Sequence, residues 1–181
     1  MKRSIVAAAA VVLATAAGCG SGAGSGAPPA PPAAGSSAPA PSAAAPAPVA
    51  GEPPLTGNPT DLTQPSQAEA GSGQPPAGLV TQDIVVGTGP AAAAADTVDV
   101  QYSGTLYSDG TLFDSSWSSG APATFPLNAV VPGFAQGIEG MQVGGRRVIV
   151  IPPDLGYGAQ TRGPIPGGST LVFVVDLVGI Q

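Results

Sequence analysis

The 181-residue chain contains no histidine and a single cysteine. A Ser-His-Asp triad, a Cys-His dyad and a His/Cys zinc centre therefore cannot be assembled from it. No phosphate-binding loop of the Walker type is present. The bare Gly87-Thr88-Gly89 lacks a third glycine and a following helical pattern, and reads as a turn. Positive charge is scarce as well, with five Lys and Arg against eleven Asp and Glu. Lys2 and Arg3 lie in a segment expected to be removed, which leaves three basic residues against eleven acidic ones, a net of −8. Nucleic acid is excluded as a partner on this ground, because phosphates need a basic face. Strong attraction to anionic lipid headgroups is excluded for the same reason. Aromatics are few, eight in all, yet every one lies between Tyr102 and Phe173. Such concentration in a small domain points to an aromatic-walled pocket, serving a chemistry that needs no acid, base or metal. The competing reading is that Phe113, Phe134 and Phe173 are ordinary core.

The chain divides into three segments. Residues 1–18 have the form of an export signal. Lys2 and Arg3 supply a positive start, and the apolar run from Ile5 to Ala17 is too short to span a bilayer. The run closes on Ala16-Ala17-Gly18-Cys19, which resembles a bacterial lipobox with Ala16 in place of the common leucine. Small residues suit the signal peptidase, and the thiol of Cys19 is the lipid acceptor. A lone cysteine in an exported chain has no disulfide partner, so lipidation gives it a purpose. An ordinary secretory signal followed by a chance cysteine is the alternative. The expected location is the outer face of the bacterial cell membrane, held there by the N-terminal lipid.

Residues 19–77 are Ala, Pro, Gly and Ser with scattered polar side chains. Almost no large apolar group is available to offset the entropy of ordering, so this stretch is expected to be a disordered tether. Its reach is roughly 40 Å as a flexible coil and roughly 175 Å if fully extended.

Residues 78–181 form the expected folded domain, large enough for one core. Strand signals dominate, over 79–86, 97–106, 112–115, 122–126, 146–151 and 170–180. Within the second run, Val98, Val100 and Tyr102 alternate with Asp99, Gln101 and Ser103. Ser108-Asp109-Gly110 reads as a turn. One helix is expected over 133–140, preceded by Pro132 and closed by Gly140, with Phe134 and Ile138 on one face. The result is an α+β domain, an antiparallel sheet curled over one short helix. Arg146 and Arg147 are expected to be a solvated pair facing opposite sides of a strand. Trp117, in a Ser/Gly-rich loop, is either a lip of the pocket or a packed anchor.

Several ordered blocks then carry a resemblance. They are Val100-Gln101-Tyr102-Ser103-Gly104, Asp109 to Ser116, Val131-Pro132-Gly133-Phe134, Gly137 to Met141, Ile151 to Gly158, Ile165-Pro166, and Ser169 to Leu177. In this order and spacing they resemble the FKBP type of peptidyl-prolyl cis-trans isomerase, over nearly all of residues 78–181. The resemblance implies a five- or six-stranded antiparallel half-barrel wrapped on a short helix, with the pocket between them. It implies that Tyr102, Asp114 and Tyr157 do the catalytic work. It implies substrate contacts from Phe113, Phe125, Val130, Val131, Phe134, Ile165 and Phe173. Phe134 stands where many members have tryptophan. Ala123 stands where an aromatic is common, and Ser119 where some members have an arginine paired to the pocket aspartate. No cofactor or metal is implied. The implied partners are proline-containing exported polypeptides, with macrolides such as rapamycin as further candidate ligands, and nothing in the sequence points beyond a monomer. Two alternatives stay open: a non-catalytic module or chaperone at the membrane surface that binds proline segments, and a passive envelope protein with a closed pocket.

Overall fold

The computed structural model describes residues 52–181. The expected signal peptide, Cys19 and the linker up to residue 51 lie outside the described residues. Twelve short elements follow one another, of which eight are strands: β1 (Leu55–Thr56), β2 (Gln67–Ala68), β3 (Val80–Val85), β4 (Thr97–Leu106), β5 (Leu112–Ser115), β6 (Ala123–Pro126), β7 (Arg146–Ile151) and β8 (Leu171–Ile180). One α-helix, α1 (Pro132–Ile138), lies between β6 and β7, and short 3₁₀ turns complete the set.

The main sheet has six strands, all antiparallel, in the order β3-β7-β8-β4-β5, with β6 also paired to β4. The ten-residue β4 is shared. Its first half pairs with β6 through Thr97–Val100, and its second half pairs with β5 through Ser103–Thr105. A register shift between Asp99 and Val100 against β8 falls in the half that pairs with β6, and such irregularities increase local twist. The expected alternation holds. Val98, Val100 and Tyr102 are buried in the core with Ile149, Ile151, Phe173, Val175 and Leu177.

The helix lies on that core face. Pro132 opens it with a φ already fixed for a first turn, and Gly133, Phe134, Gly137 and Ile138 are its buried residues. Its close approach depends on the two glycines. A Cβ on Gly133 would stand 2.4 Å from Ile151 Cγ2, and one on Gly137 would stand 2.5 Å from Ile149 Cγ2. Any larger residue would lift the helix from the sheet and open the space beneath it.

The other face of the sheet departs from expectation. The stretch 52–77 does not belong to a tether that runs to residue 77. Leu55 pairs with Ala68 and Thr56 with Gln67 in a small antiparallel ribbon, and β2 packs over β4 and β8. A second apolar cluster fills the gap, made of Ala68, Tyr107, Val148, Val150, Val172 and Val174. The folded unit therefore begins by residue 52, not 78. Arg146 explains why so polar a stretch settles here. It is fully buried, not solvated, and its Nε and a terminal nitrogen donate to the two Asp176 oxygens at 2.5 and 2.6 Å. Its remaining N–H groups donate to the carbonyls of Asn58, Pro59 and Gln64. A guanidinium offers five donors in a rigid fork, enough to hold a carboxylate and a loop of backbone oxygens together. Arg147, on the opposite face as expected, is also engaged. It pairs with Asp83 at 2.6 Å and donates to the Gly137 and Glu139 carbonyls at the end of α1. Among the described residues, no helix is long and apolar enough to cross a membrane.

Candidate active site

An open cleft of about 490 Å³ lies between α1 and the concave face of the sheet. Tyr102, Phe113, Asp114, Phe125, Val130, Val131, Phe134, Tyr157 and Phe173 line it, together with Ala129 and Arg162. Nine of the ten expected pocket residues thus meet at one place. Ile165 does not. Its side chain is buried in the main core cluster. Cys19 lies outside the described residues.

The rings form one connected set. Phe134 stands 5.1 Å from Phe173, 6.0 Å from Phe125 and 6.4 Å from Tyr102, in each case near edge-to-face. Phe113 meets Phe173 edge-on at 5.6 Å. Each such pair contributes about 0.5–1.5 kcal/mol beyond the area it buries. Core and pocket are therefore one assembly. Tyr102, Phe134 and Phe173 belong to the buried main cluster and also line the cleft. Their local frames differ. β4 supplies Tyr102, β5 supplies Phe113 and Asp114, β6 supplies Phe125, α1 supplies Phe134 and β8 supplies Phe173.

Polar groups are few and placed. The Tyr102 hydroxyl donates to Asp114 Oδ2 at 2.6 Å. Asp114 Oδ1 accepts from the Ser115 N–H at 2.9 Å, so both carboxylate oxygens are held. Asp114 thus holds the Tyr102 hydroxyl with one oxygen and the backbone N–H of the following residue with the other. Burial, then the hydrogen bond and the charge of Asp114, push the Tyr102 hydroxyl well above the usual tyrosine range, and it stays a donor. Among the described residues the Tyr157 hydroxyl takes no hydrogen-bond partner, and neither does the Val131 backbone N–H. Both residues line the cleft. No group of His, Cys, Asp and Glu among the described residues could hold a metal ion.

Ser119 does not face Asp114. Its hydroxyl donates to the Ser116 and Ala121 carbonyls, and no cation pairs with Asp114 among the described residues. Trp117 is half-buried beside the cleft but is not part of its wall. Ala123 sits in β6 opposite Val100 and packs against the main core.

Sequence reasoning missed two lining residues, Ala129 and Arg162, and the guanidinium carbon of Arg162 lies 5.6 Å from the centre of the Tyr157 ring. Its position follows from a tight reversal. The Arg162 N–H donates to the Ile165 carbonyl and the Ile165 N–H returns the bond, both at 2.9 Å, around Gly163-Pro164. The Ile165-Pro166 block was legible, and Gly163-Pro164 is itself a turn signal, but it does not say which residues the reversal pairs.

Residues 89–178 match the family described as FKBP-type peptidyl-prolyl cis-trans isomerase. The chain is 48% identical over 112 residues to the FK506-binding protein of Streptomyces anulatus, covering 60% of this chain and 90% of that one. It is 45% identical over 112 residues to a probable FK506-binding protein of Corynebacterium glutamicum, covering 62% and 95% respectively. Among solved structures, FkpA from Escherichia coli aligns at a TM-score of 0.55 and 44% identity, over 57% of this chain and 48% of that one. With an aromatic cleft that matches the residues expected from the motifs, the chain belongs to the FKBP-type peptidyl-prolyl cis-trans isomerases.

Proposed function

We propose that the cleft receives a prolyl side chain of an exported polypeptide and eases the preceding amide out of plane. Rotation about a peptide bond faces a barrier of about 18–20 kcal/mol, because resonance gives C–N partial double-bond character. Uncatalysed X-Pro exchange therefore takes tens to hundreds of seconds. Exchange on the millisecond scale needs roughly 10⁴-fold or more, which is near 5–6 kcal/mol.

Two features supply it in this reading. The planar amide is the more polar form, so transfer from water into an aromatic cleft disfavours the ground state relative to the twisted one. The two donors left without partners, the Tyr157 hydroxyl and the Val131 N–H, grip substrate carbonyls on either side. Asp114 holds the Tyr102 hydroxyl in place and faces the carbonyl carbon as it turns. No proton moves. The observation that carries the reading is the coincidence, in one open apolar cleft, of a rigid Tyr102–Asp114 bond and two uncommitted donors.

Export and anchoring through Cys19 place the domain where newly translocated chains still hold slow prolyl bonds, and the stretch before residue 52 is the reach of that domain. A single copy suffices for the whole cleft. Macrolides such as rapamycin fit the same apolar walls, with Ala123 and Phe134 weakening the contact relative to a site with larger rings. NMR exchange spectroscopy on an X-Pro peptide tests the catalytic part: the full chain accelerates cis–trans exchange, and a macrolide suppresses it. Binding of the peptide without any change in exchange rate would falsify catalysis and favour the binding-module alternative. The anchor is tested separately by replacing Cys19 with serine, after which the chain leaves the membrane fraction.

A further inference from the structure

We infer that Arg162 is a specificity-determining residue that favours prolyl bonds with an acidic side chain beside them. The inference rests on the reading that this cleft holds the residues flanking a proline. Three observations carry it. First, the cations of the described residues are Arg146, Arg147 and Arg162, and the first two are consumed by Asp176 and Asp83. Among the described residues Arg162 forms no ion pair, and it lines the cleft. Second, its backbone is held in place although the side chain is exposed. The reciprocal bonds between Arg162 and Ile165 close the reversal, and the Gly168 N–H to Gly158 carbonyl bond at 2.8 Å ties the loop at its base. The guanidinium rests over the ring of Tyr157, the residue whose hydroxyl is proposed to hold a substrate carbonyl. Third, the one carboxylate in the cleft wall, Asp114, forms no ion pair with it and is turned to the Tyr102 hydroxyl and the Ser115 N–H instead.

The surroundings sharpen the effect. The domain is acidic, so a lysine-bearing peptide gains from the general field of the protein during approach. Beside Tyr157 the sign reverses, because the Arg162 guanidinium lines that side of the cleft without an ion-pair partner. An acidic side chain within a residue or two of the proline reaches the Arg162 fork and finds planar, bidentate donors. A lysine at the same place meets like charge. Discrimination at the bound site therefore runs opposite to the overall charge of the protein, and it separates a local contact from long-range steering.

The test is NMR exchange of matched peptides carrying Glu, Gln or Lys, either just before or just after the proline, with the full chain as catalyst. At low salt the Glu peptide is turned over about five- to tenfold more efficiently than the Lys peptide at one of the two positions. In about 1 M salt, where the Debye length is about 3 Å, the ratio falls below about twofold. Arg162→Gln brings the low-salt ratio close to one, and Arg162→Glu inverts it, whatever either does to the absolute rate. Accelerated exchange with Glu and Lys peptides alike, or a Glu preference unaltered in Arg162→Gln, overturns the inference and leaves the isomerase reading standing. Exchange no faster than in buffer for every peptide overturns both.

Discussion

Replacing Arg146 with methionine asks whether one buried guanidinium holds the back of the sheet closed. Methionine keeps much of the volume and removes every donor. Asp176, only 5% exposed, is then a buried carboxylate with its partner gone. Breaking a buried pair from one side costs about 3–5 kcal/mol, since the remaining charge has neither water nor counter-ion. The Asn58, Pro59 and Gln64 carbonyls lose their donors as well. These part-buried bonds anchor the stretch that begins at residue 52, so their loss loosens it in addition. For a domain of this size, the expected fall in Tm is roughly 10–20 °C.

The pH dependence carries the sharper signature. Burial raises the pKa of Asp176 above the usual aspartate value, while the hydrogen bond and charge of Arg146 pull it back. Removing Arg146 leaves only the raising influence. A carboxyl whose folded-state pKa is raised carries a penalty that is full above that pKa and is relieved as pH falls below it. The stability gap between the native chain and Arg146→Met is therefore widest near neutrality and narrows towards about pH 4, where the unfolded aspartate also takes up its proton. Urea unfolding followed by circular dichroism across this range measures the gap directly. Adding Asp176→Leu to Arg146→Met restores most of the lost stability, because a matched apolar pair avoids the buried charge. It does not restore protection of the amides in residues 52–72, whose carbonyl anchors are gone. A gap under about 0.5 kcal/mol at neutral pH, within the range of ordinary surface changes, would refute the reasoning. So would a gap that stays constant on acidification.

Tyr102→Phe keeps the ring contacts with Phe125, Phe134 and Phe173 and removes the bond to Asp114. It lowers kcat/KM for prolyl exchange by about tenfold, or near 1.4 kcal/mol, with a far smaller change in Tm. Tyr157→Phe likewise lowers kcat/KM, and an unchanged rate would remove its hydroxyl from the proposed grip. With no histidine in the chain and the Tyr102 hydroxyl shifted upward, the exchange rate stays level between about pH 6 and 9, which a simple pH–rate profile checks. Gly71→Val drives a side chain into the Tyr107 ring, where even a Cβ would stand 2.1 Å from Cζ. Tyr107 is buried, so the 52–72 strap lifts, and limited proteolysis cuts there first while the prolyl exchange rate is retained.

Which parts of this molecule were legible depended on whether the determining forces were local. The strands of the main sheet announced themselves because alternation is a property of adjacent residues. Val98, Val100 and Tyr102 face the core while Asp99 and Gln101 do not, and the sequence says so within one run. The helix was legible for the same reason, since Pro132 and the Phe134/Ile138 spacing mark its start and its buried face. The walls of the cleft followed from ordered motifs, each read within a few residues. The strap did not, because its order is imposed from outside. Residues 52–77 carry little apolar surface of their own, and what fixes them is an arginine about ninety positions away. A signal for it did exist, on the far side of the sheet. β7 and β8 are apolar on both faces: Ile149, Ile151, Phe173 and Val175 point to the main core, and Val148, Val150, Val172 and Val174 point away from it. A strand with two apolar faces needs two covers. The helix can serve only one, so some other part of the chain had to supply the second. The buried cross-strand pair Arg146 and Asp176 shows how a polar segment qualifies: it offers carbonyl oxygens to a guanidinium that the sheet cannot satisfy alone. Arg162 escaped notice for the converse reason. Its role depends on a reversal set by reciprocal backbone bonds, and no side-chain pattern records where those close.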